Sequence, residues 1–190
     1  MNNLVIQAGR YKGLKLKSPN LKVRPTLTLM RSALFDSLMS QIDFEDYLFI
    51  DLFAGSGTVG IEALSRGFNH AFFVEQAKSV YASLIPNLKH LDSSQYNLFK
   101  TNAYYFLSHQ LVKKTAENNC LIFIDPPYID DNFKKTCAIL NRLKPNNNCL
   151  IALQSAKNQK YYLNPNWIFV KTKSYSNNRI NYYKFEKCTN

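Results

Sequence analysis

Cysteine and histidine, the residues that most often hold zinc, are few and scattered in this sequence. The three histidines show no spacing typical of metal ligands. The cysteines lie too far apart for a CxxC pair, at Cys120, Cys137, Cys149 and Cys188. These absences argue against a metal site or a redox pair, and we expect reduced thiols and no bound metal.

Long apolar runs are also absent. No stretch approaches the roughly 18 apolar residues of a membrane span, and residues 1–4 lack the basic and then apolar pattern of a secretory signal. We find no internal repeat, low-complexity tract or linker rich in Gly, Pro or Ser. The sequence therefore predicts one cytoplasmic domain without membrane contact, and since nothing in it demands a dimer, we expect a monomer.

Acidic residues are few relative to basic ones. The 24 Lys and Arg residues against 13 Asp and Glu residues leave 24 − 13 = +11. Such an excess favours a polyanionic partner, because neutralising phosphates releases counterions. Nucleic acid is the first candidate and an anionic membrane the second, although a positive surface also serves solubility.

A basic leader precedes the main domain. Residues 4–8 and 14–17 are expected to pair as a β-hairpin across Gly9 and Gly13. Apolar residues then recur at three- and four-residue steps between Thr26 and Ile42, which predicts one helix. We expect residues 1–44 to form an extension that covers RNA and cofactor, and residues 45–190 to form the main domain.

Short apolar runs alternate with helix-compatible segments in the rest of the chain. The predicted strands are residues 48–53, 71–75, 96–100, 120–125, 149–154, 167–172 and 180–185. The predicted helices are residues 57–66, 77–91, 103–116 and 132–143. This order indicates an α/β fold, a doubly wound and mostly parallel seven-stranded sheet of the Rossmann-like class, whose last strand is antiparallel because its connection is too short for a helix.

A glycine-rich turn follows the first strand of this sheet. It runs from Asp51 through Phe53, Ala54, Gly55, Ser56 and Gly57 to Gly60, at the edge where such sheets bind ligands. The spacing fits both a nicotinamide dinucleotide and S-adenosylmethionine, and Glu75 could bind the ribose of either. Asp51 favours S-adenosylmethionine, since a carboxylate opposes a pyrophosphate but complements a cation. Asp51 could instead cap the turn through backbone amides.

The strongest signal is Asp125-Pro126-Pro127-Tyr128, directly after the apolar strand at 121–124. Two prolines hold the chain extended, so the Asp125 carboxylate and the Pro126 carbonyl could accept both hydrogens of an exocyclic amine. Tyr128 offers a face for stacking a base. This pattern predicts direct methyl transfer to a base amine, with these four residues as the catalytic centre. A rigid turn without chemistry is the alternative.

The sequence resembles the RsmD family, class I methyltransferases that modify a guanine N2 in small-subunit (16S) ribosomal RNA. The resemblance rests on Gly9-Arg10-Tyr11-Lys12-Gly13, Arg24-Pro25-Thr26 with Arg31, the glycine turn, residues 62–67, and Asp125-Pro126-Pro127. It implies S-adenosylmethionine as the cofactor and ribosomal RNA, within the small ribosomal subunit, as the partner. The remaining site residues that we expect from it are Gln76, Asn102, Ala103 and Thr26 for the cofactor, and Arg10, Lys12, Lys15, Arg24 and Arg31 for RNA.

Some positions depart from the family pattern. Thr28, Leu29 and Ser32 stand where members usually carry charged residues, and residues 153–156 stand where acidic residues are usual. Two alternatives therefore stay open: an adenine-N6 DNA methyltransferase, for which 190 residues leave little room for a target-recognition module, and a non-catalytic RNA-binding assembly factor. A nicotinamide oxidoreductase is less favoured, because no Tyr-x-x-x-Lys or zinc set accompanies the glycines.

Overall fold

The structure is a computed structural model that describes residues 4–17, 25–126, 130–145 and 148–187, without the side chains of residues 25–27 and 130–132. Its strands in chain order are β1 (Leu4–Val5), β2 (Lys15–Leu16), β3 (Tyr47–Asp51), β4 (His70–Val74), β5 (Tyr96–Phe99), β6 (Asn119–Ile124), β7 (Cys149–Ala156), β8 (Trp167–Tyr175) and β9 (Asn178–Phe185). The helices are α1 (Pro25–Asp36), α2 (Thr58–Ser65), α3 (Lys78–Leu88), α4 (Ala103–Tyr105), α5 (Leu111–Glu117) and α6 (Asp130–Leu140).

Strands β3 to β9 form one sheet in the order β5-β4-β3-β6-β7-β9-β8. The pairs from β5 to β7 are parallel, and β9 runs antiparallel between β7 and β8. Strands β1 and β2 pair as a separate antiparallel hairpin. The predicted seven-stranded, mostly parallel sheet with an antiparallel last strand and an N-terminal hairpin is therefore confirmed.

Both faces of the sheet are covered, as a doubly wound fold requires. Alternate residues of β3 show this, since Phe49 belongs to one apolar core and Ile50 to the other. The first core also contains residues of the hairpin and of α1, α2 and α3. The second core contains residues of α4, α5 and α6. The hairpin and α1 therefore pack into the core on one face of the sheet, which includes residues of β3, β4, β6, β7 and β9.

Two predicted helices differ from the structure. The helix expected over residues 26–42 ends at Asp36, because the backbone then turns tightly, with Leu38 N–H donating to Phe35 C=O (2.9 Å) and Gln41 N–H to Leu38 C=O (2.8 Å). The helix expected over residues 103–116 contains a π-helical turn, Phe106–Gln110, between α4 and α5. That turn keeps the side chains of both Phe106 and Leu111 in the core.

The carboxylate of Glu62 in α2 holds the leader against the domain. Its side chain is 0% exposed. It accepts hydrogen bonds from the backbone N–H groups of Gln7 (2.8 Å) and Ala8 (3.1 Å) and pairs with the guanidinium groups of Arg66 (2.8 Å) and Arg31 (3.3 Å). One buried carboxylate thus joins the leader, α1 and α2.

Ser65, at the end of α2, supplies a second attachment for the hairpin turn. Its hydroxyl accepts the N–H of Tyr11 (2.8 Å) and donates to the C=O of Ala8 (2.5 Å). Its backbone C=O accepts the N–H of Arg10 (2.7 Å). Because these bonds use backbone atoms of the turn, the turn lies directly on α2.

The described ranges contain no helix long and apolar enough to cross a membrane. They also contain no group of three or more His, Cys, Asp or Glu residues that could hold a metal ion. Cys120, Cys137 and Cys149 are buried, free thiols, whereas Cys188 lies outside the described residues.

Candidate functional site

The candidate site is a cavity of about 840 Å³ at the carboxyl edge of the sheet. It lies where β3 and β6 end, because these strands are parallel neighbours with Asp51 opposite Phe123. Residues that follow both strands line it. The predicted site residues in its wall are Asp51, Phe53, Ala54, Gly55, Ser56, Glu75, Gln76, Asn102, Ala103 and Asp125. The glycine turn and the acidic strand end, distant in sequence, thus share one cavity.

Gly57 supports the turn from below and does not itself line the cavity. It is the N-cap of α2 with φ +78°, a backbone conformation that favours glycine. A Cβ atom there would lie 2.3 Å from a methyl carbon of Leu84. Gly57 therefore shapes the turn, and its contact with a cofactor stays a prediction.

Asp51 is almost fully buried at the end of β3, with 1% of its surface exposed. Its carboxylate accepts the backbone N–H of Gly60 at 3.2 Å, so Asp51 caps the turn and also lines the cavity. Desolvation raises the pKa of Asp51 to about 7, and the nearby charges of Asp125 and Glu75 add to the increase. A cation in the cavity would relieve both effects.

Glu75 follows β4 and lies beside the glycine turn. One carboxylate oxygen accepts the N–H of Gly55 at 3.1 Å, and the other accepts the N–H of Ala77 at 2.8 Å. Each oxygen keeps further acceptor capacity. The two backbone bonds fix the carboxylate at the cavity wall, where it could accept hydrogen bonds from a sugar diol.

Asn102 also lines the cavity, close to the segment that holds Glu75. Its side-chain oxygen caps α4 by accepting the N–H of Tyr104 at 2.8 Å, and its amide donates to the side-chain oxygen of Gln76 at 2.7 Å. Apolar side chains of Phe53 and Ala103 lie in the same wall. Polar groups with a flat apolar surface suit a purine ring.

Asp125 lies in the cavity immediately after β6. Desolvation raises its pKa to about 7, so at neutral pH the carboxyl group can either accept a hydrogen bond or exchange a proton. Pro126 is buried beside it. Pro127 and Tyr128 lie outside the described residues, and the stacking role of Tyr128 stays a prediction.

The predicted RNA-binding residues divide into two groups. Arg10, Lys12 and Lys15 are exposed on the hairpin, as expected for phosphate contacts. Arg31 is only 5% exposed, and it pairs with Glu62 and lines the cavity. Arg31 therefore lies inside the cavity wall and not on the exposed hairpin with the other three, and its contact with RNA stays a prediction. Arg24 lies outside the described residues.

Thr26 lies within α1, where the structure describes the backbone of residues 25–27 but not their side chains. Its expected contact with the cofactor stays a prediction.

The cavity extends further than the sequence indicates, under α1 and across β6, β7 and β9. Apolar side chains that resemble ordinary core residues line this part, at Leu4, Met30, Leu34, Phe123 and Ile180. Gln154, which is 5% exposed and lies two residues before the end of β7, is a polar side chain among them. The sequence did hold a signal for Gln154. It is a polar residue directly after an apolar run, as Asp125 is, and so could have been predicted to lie at the ligand-binding edge of the sheet.

The chain matches known proteins over most of its length. Residues 4–184 match the family described as conserved hypothetical protein 95. Ribosomal RNA small subunit methyltransferase D of Buchnera aphidicola subsp. Acyrthosiphon pisum is 33% identical over 175 residues, which cover 90% of this chain and 88% of that protein. The protein of the same name from Escherichia coli strain K12 is 35% identical over 136 residues, covering 71% and 65% respectively.

The fold is shared with solved structures. Escherichia coli yhhF is 28% identical, superposes with a TM-score of 0.82, and covers 97% of this chain and 99% of its own. The agreement therefore extends over the hairpin, α1 and the whole sheet.

Proposed function

The chain belongs to the family that includes ribosomal RNA small subunit methyltransferase D, the RsmD family, and from this membership we infer that it is an S-adenosylmethionine-dependent methyltransferase of ribosomal RNA. The proposed reaction transfers a methyl group to the exocyclic N2 of a guanine in the RNA of the small (16S) subunit. The observation that carries the proposal is the shared cavity, in which the glycine turn after β3 and Asp125 after β6 both form the wall.

The residues of the cavity fit the proposed cofactor. Glu75 holds an anchored carboxylate that suits two ribose hydroxyls, and Asn102 and Ala103 line the part that suits adenine. Asp51 and Asp125 have raised pKa values because they are desolvated, and a cationic ligand would favour their ionised forms. When bound, S-adenosylmethionine supplies a methyl group on a positively charged sulfur.

Asp125 is the proposed catalytic residue. Its carboxylate accepts a hydrogen bond from one N–H of the target amine, which orients the nitrogen lone pair and stabilises the positive charge that develops there. The amine must also lose a proton when the new N–C bond forms. A pKa of about 7 allows Asp125 to take that proton at neutral pH. Pro126, and Pro127 and Tyr128 beyond it, are proposed to complete the acceptor site.

The exposed basic residues of the hairpin are the proposed RNA contacts. Arg10, Lys12 and Lys15 carry positive charge on a turn that is fixed to α2, so the leader (residues 1–44) would hold RNA beside the cavity. The proposal includes a monomer acting in the cytoplasm on an assembled or assembling small ribosomal subunit, with no metal in the reaction.

A parallel methylation experiment tests the function. Purified chain and labelled S-adenosylmethionine are incubated with small ribosomal subunits, free ribosomal RNA and DNA, and the modified nucleoside is identified by mass spectrometry. We expect N2-methylguanosine in the small-subunit RNA and none with Asp125→Ala. N6-methyladenine in DNA would indicate the alternative enzyme, and binding of RNA without any transfer would indicate a non-catalytic assembly factor.

A further inference from the structure

The cavity continues under α1 beyond the residues assigned to the cofactor, and this part contains Gln154, a polar side chain without an assigned role so far. This part lies beyond Asp125, on the side of β7 and β9. Its apolar wall, including Leu34 and Phe123, suits the faces of a flat heterocycle. Any base whose amine reaches Asp125 would extend into it.

Gln154 lies next to Asp125 across the sheet. Ile124 of β6 pairs with Leu153 of β7, and Asp125 and Gln154 are the residues that directly follow this pair in the two parallel segments. Paired residues point to the same face, so the two side chains are neighbours on the face that α1 covers. Both line the cavity. A primary amide has two acceptor lone pairs and two donors, so it can keep a partner within the protein and still contact a base.

The way a nucleotide must enter decides which part of the base meets Gln154. The ribose is attached at N9 and remains joined to the RNA chain, so the N3 side of the purine faces the opening. The N1–H and O6 groups lie on the other side of the amine, away from the sugar. Gln154 is 5% exposed, and a buried amide beyond Asp125 therefore meets the N1 side.

We propose that Gln154 selects guanine, its side-chain carbonyl accepting a hydrogen bond from N1–H while Asp125 accepts one from the N2 amine. The assignment rests on the proposed function. Guanine alone among the amine-bearing bases has an N–H next to its amine; adenine and cytosine have ring-nitrogen acceptors there. A carbonyl held at this point accepts guanine and opposes the other two, because two acceptors would face each other without a proton.

The test replaces the methylated guanosine, once identified by mass spectrometry, with 2-aminopurine riboside in a ligated small-subunit RNA. This analogue keeps the 2-amine and lacks both N1–H and O6. For the wild-type chain we expect kcat/KM to be roughly tenfold to a hundredfold lower on the analogue. Gln154→Met, an uncharged side chain of similar length, should slow guanosine by a similar factor and change the analogue less than about twofold, so the preference is lost.

Two further variants keep the result interpretable. Gln154→Glu retains an acceptor and should keep most of the preference for guanosine, whereas Gln110→Met changes an exposed residue outside the cavity and should leave both rates unchanged. Cofactor binding by calorimetry and thermal melting should be alike in all variants. Equal slowing of both substrates by Gln154→Met would mean that Gln154 only supports the pocket, and loss of preference in Gln154→Glu would exclude an acceptor role. Failure of the wild-type chain to methylate small subunits would instead contradict the function itself.

Discussion

The contact between the hairpin turn and α2 gives a prediction whose size can be worked from the structure. Gly9 and Gly13 both have positive φ angles, +79° and +87°. A Cβ atom on Gly9 would lie 1.7 Å from the backbone oxygen of Ser65, whereas one on Gly13 would meet nothing within 4 Å. Alanine at either position therefore strains the backbone, but only Gly9→Ala pushes the turn away from the helix.

The difference in free energy of unfolding between Gly9→Ala and Gly13→Ala measures how strongly the hairpin turn is attached to α2. The strain of a left-handed conformation costs about 1–2 kcal/mol in each variant. Moving the turn away also breaks the three hydrogen bonds that Ser65 makes with Ala8, Arg10 and Tyr11. Each hydrogen bond contributes about 0.5–1.5 kcal/mol. Their loss therefore lowers the free energy of unfolding of Gly9→Ala by roughly 1.5–4.5 kcal/mol beyond the strain. We expect Gly13→Ala to lower the free energy of unfolding by the strain alone.

Urea unfolding followed by circular dichroism measures both variants, and limited trypsin digestion separates local from global effects. If the leader detaches before the domain unfolds, the main transition shifts less than the sum above, and cleavage after Arg10 and Lys12 becomes faster only in Gly9→Ala. Two variants that agree within about 0.5 kcal/mol and are cleaved at the same rate would refute the reasoning, because the contact with α2 would then carry no energy.

The other predictions concern the cavity and the basic leader. Asp125 should be ionised to accept the amine, so kcat/KM should fall about tenfold per pH unit below its pKa of about 7; Asp125→Asn should be slower and lose this dependence. Glu75→Ala should weaken cofactor binding in calorimetry by roughly tenfold to a hundredfold, since a charged acceptor is lost. Replacing Arg10, Lys12 and Lys15 with alanine should reduce the log–log salt dependence of RNA binding by about two to three units.

Each of these has a control and a contrary result. Asp51 and Asp125 both have a pKa of about 7, so Asp51→Asn shows which of the two causes the pH dependence. If Asp125→Asn keeps the wild-type pH profile, Asp125 does not exchange the proton. Glu75→Gln keeps an acceptor and should bind the cofactor better than the alanine variant; equal affinity of both with wild type would contradict the ribose contact. Three exposed lysines from other surfaces, Lys113, Lys144 and Lys157, serve as the matched set for the salt experiment, where an equal change would exclude a specific role for the hairpin.

The position of the site could be predicted because it follows from strand direction. Parallel strands joined by crossover helices end at one edge, so Asp51 and Asp125 had to come near each other once their strands were recognised as neighbours. The glycine turn and Glu75 follow from the same rule. These features depend on chain order and strand type, which the apolar runs indicate directly.

Other features depend on packing, which periodicity shows poorly. Arg31 lies four residues after Leu27 and three before Leu34 in the apolar stripe of α1, a position that indicates burial, but its charge suggested the surface. Glu62, the buried partner of Arg31, is a charged residue, and nothing in its type predicts that it is buried. Gln154 follows an apolar run in the sequence and so resembles the first residue of a loop, although β7 continues to Ala156. Each of these side chains is buried only because another element supplies its polar partner or its wall.

The carboxylate of Glu62 sets a condition on any recombination of this protein with its relatives. Two of its partners are backbone N–H groups of residues 7 and 8, which any leader of the same conformation would supply. Its ion pair with Arg31, in contrast, needs that side chain, and losing one partner of a buried pair costs about 3–5 kcal/mol. A fragment starting at residue 45 would retain the glycine turn and Asp125 but leave Glu62 poorly compensated, whereas a chimaera with a foreign leader should fold if it brings an arginine to position 31.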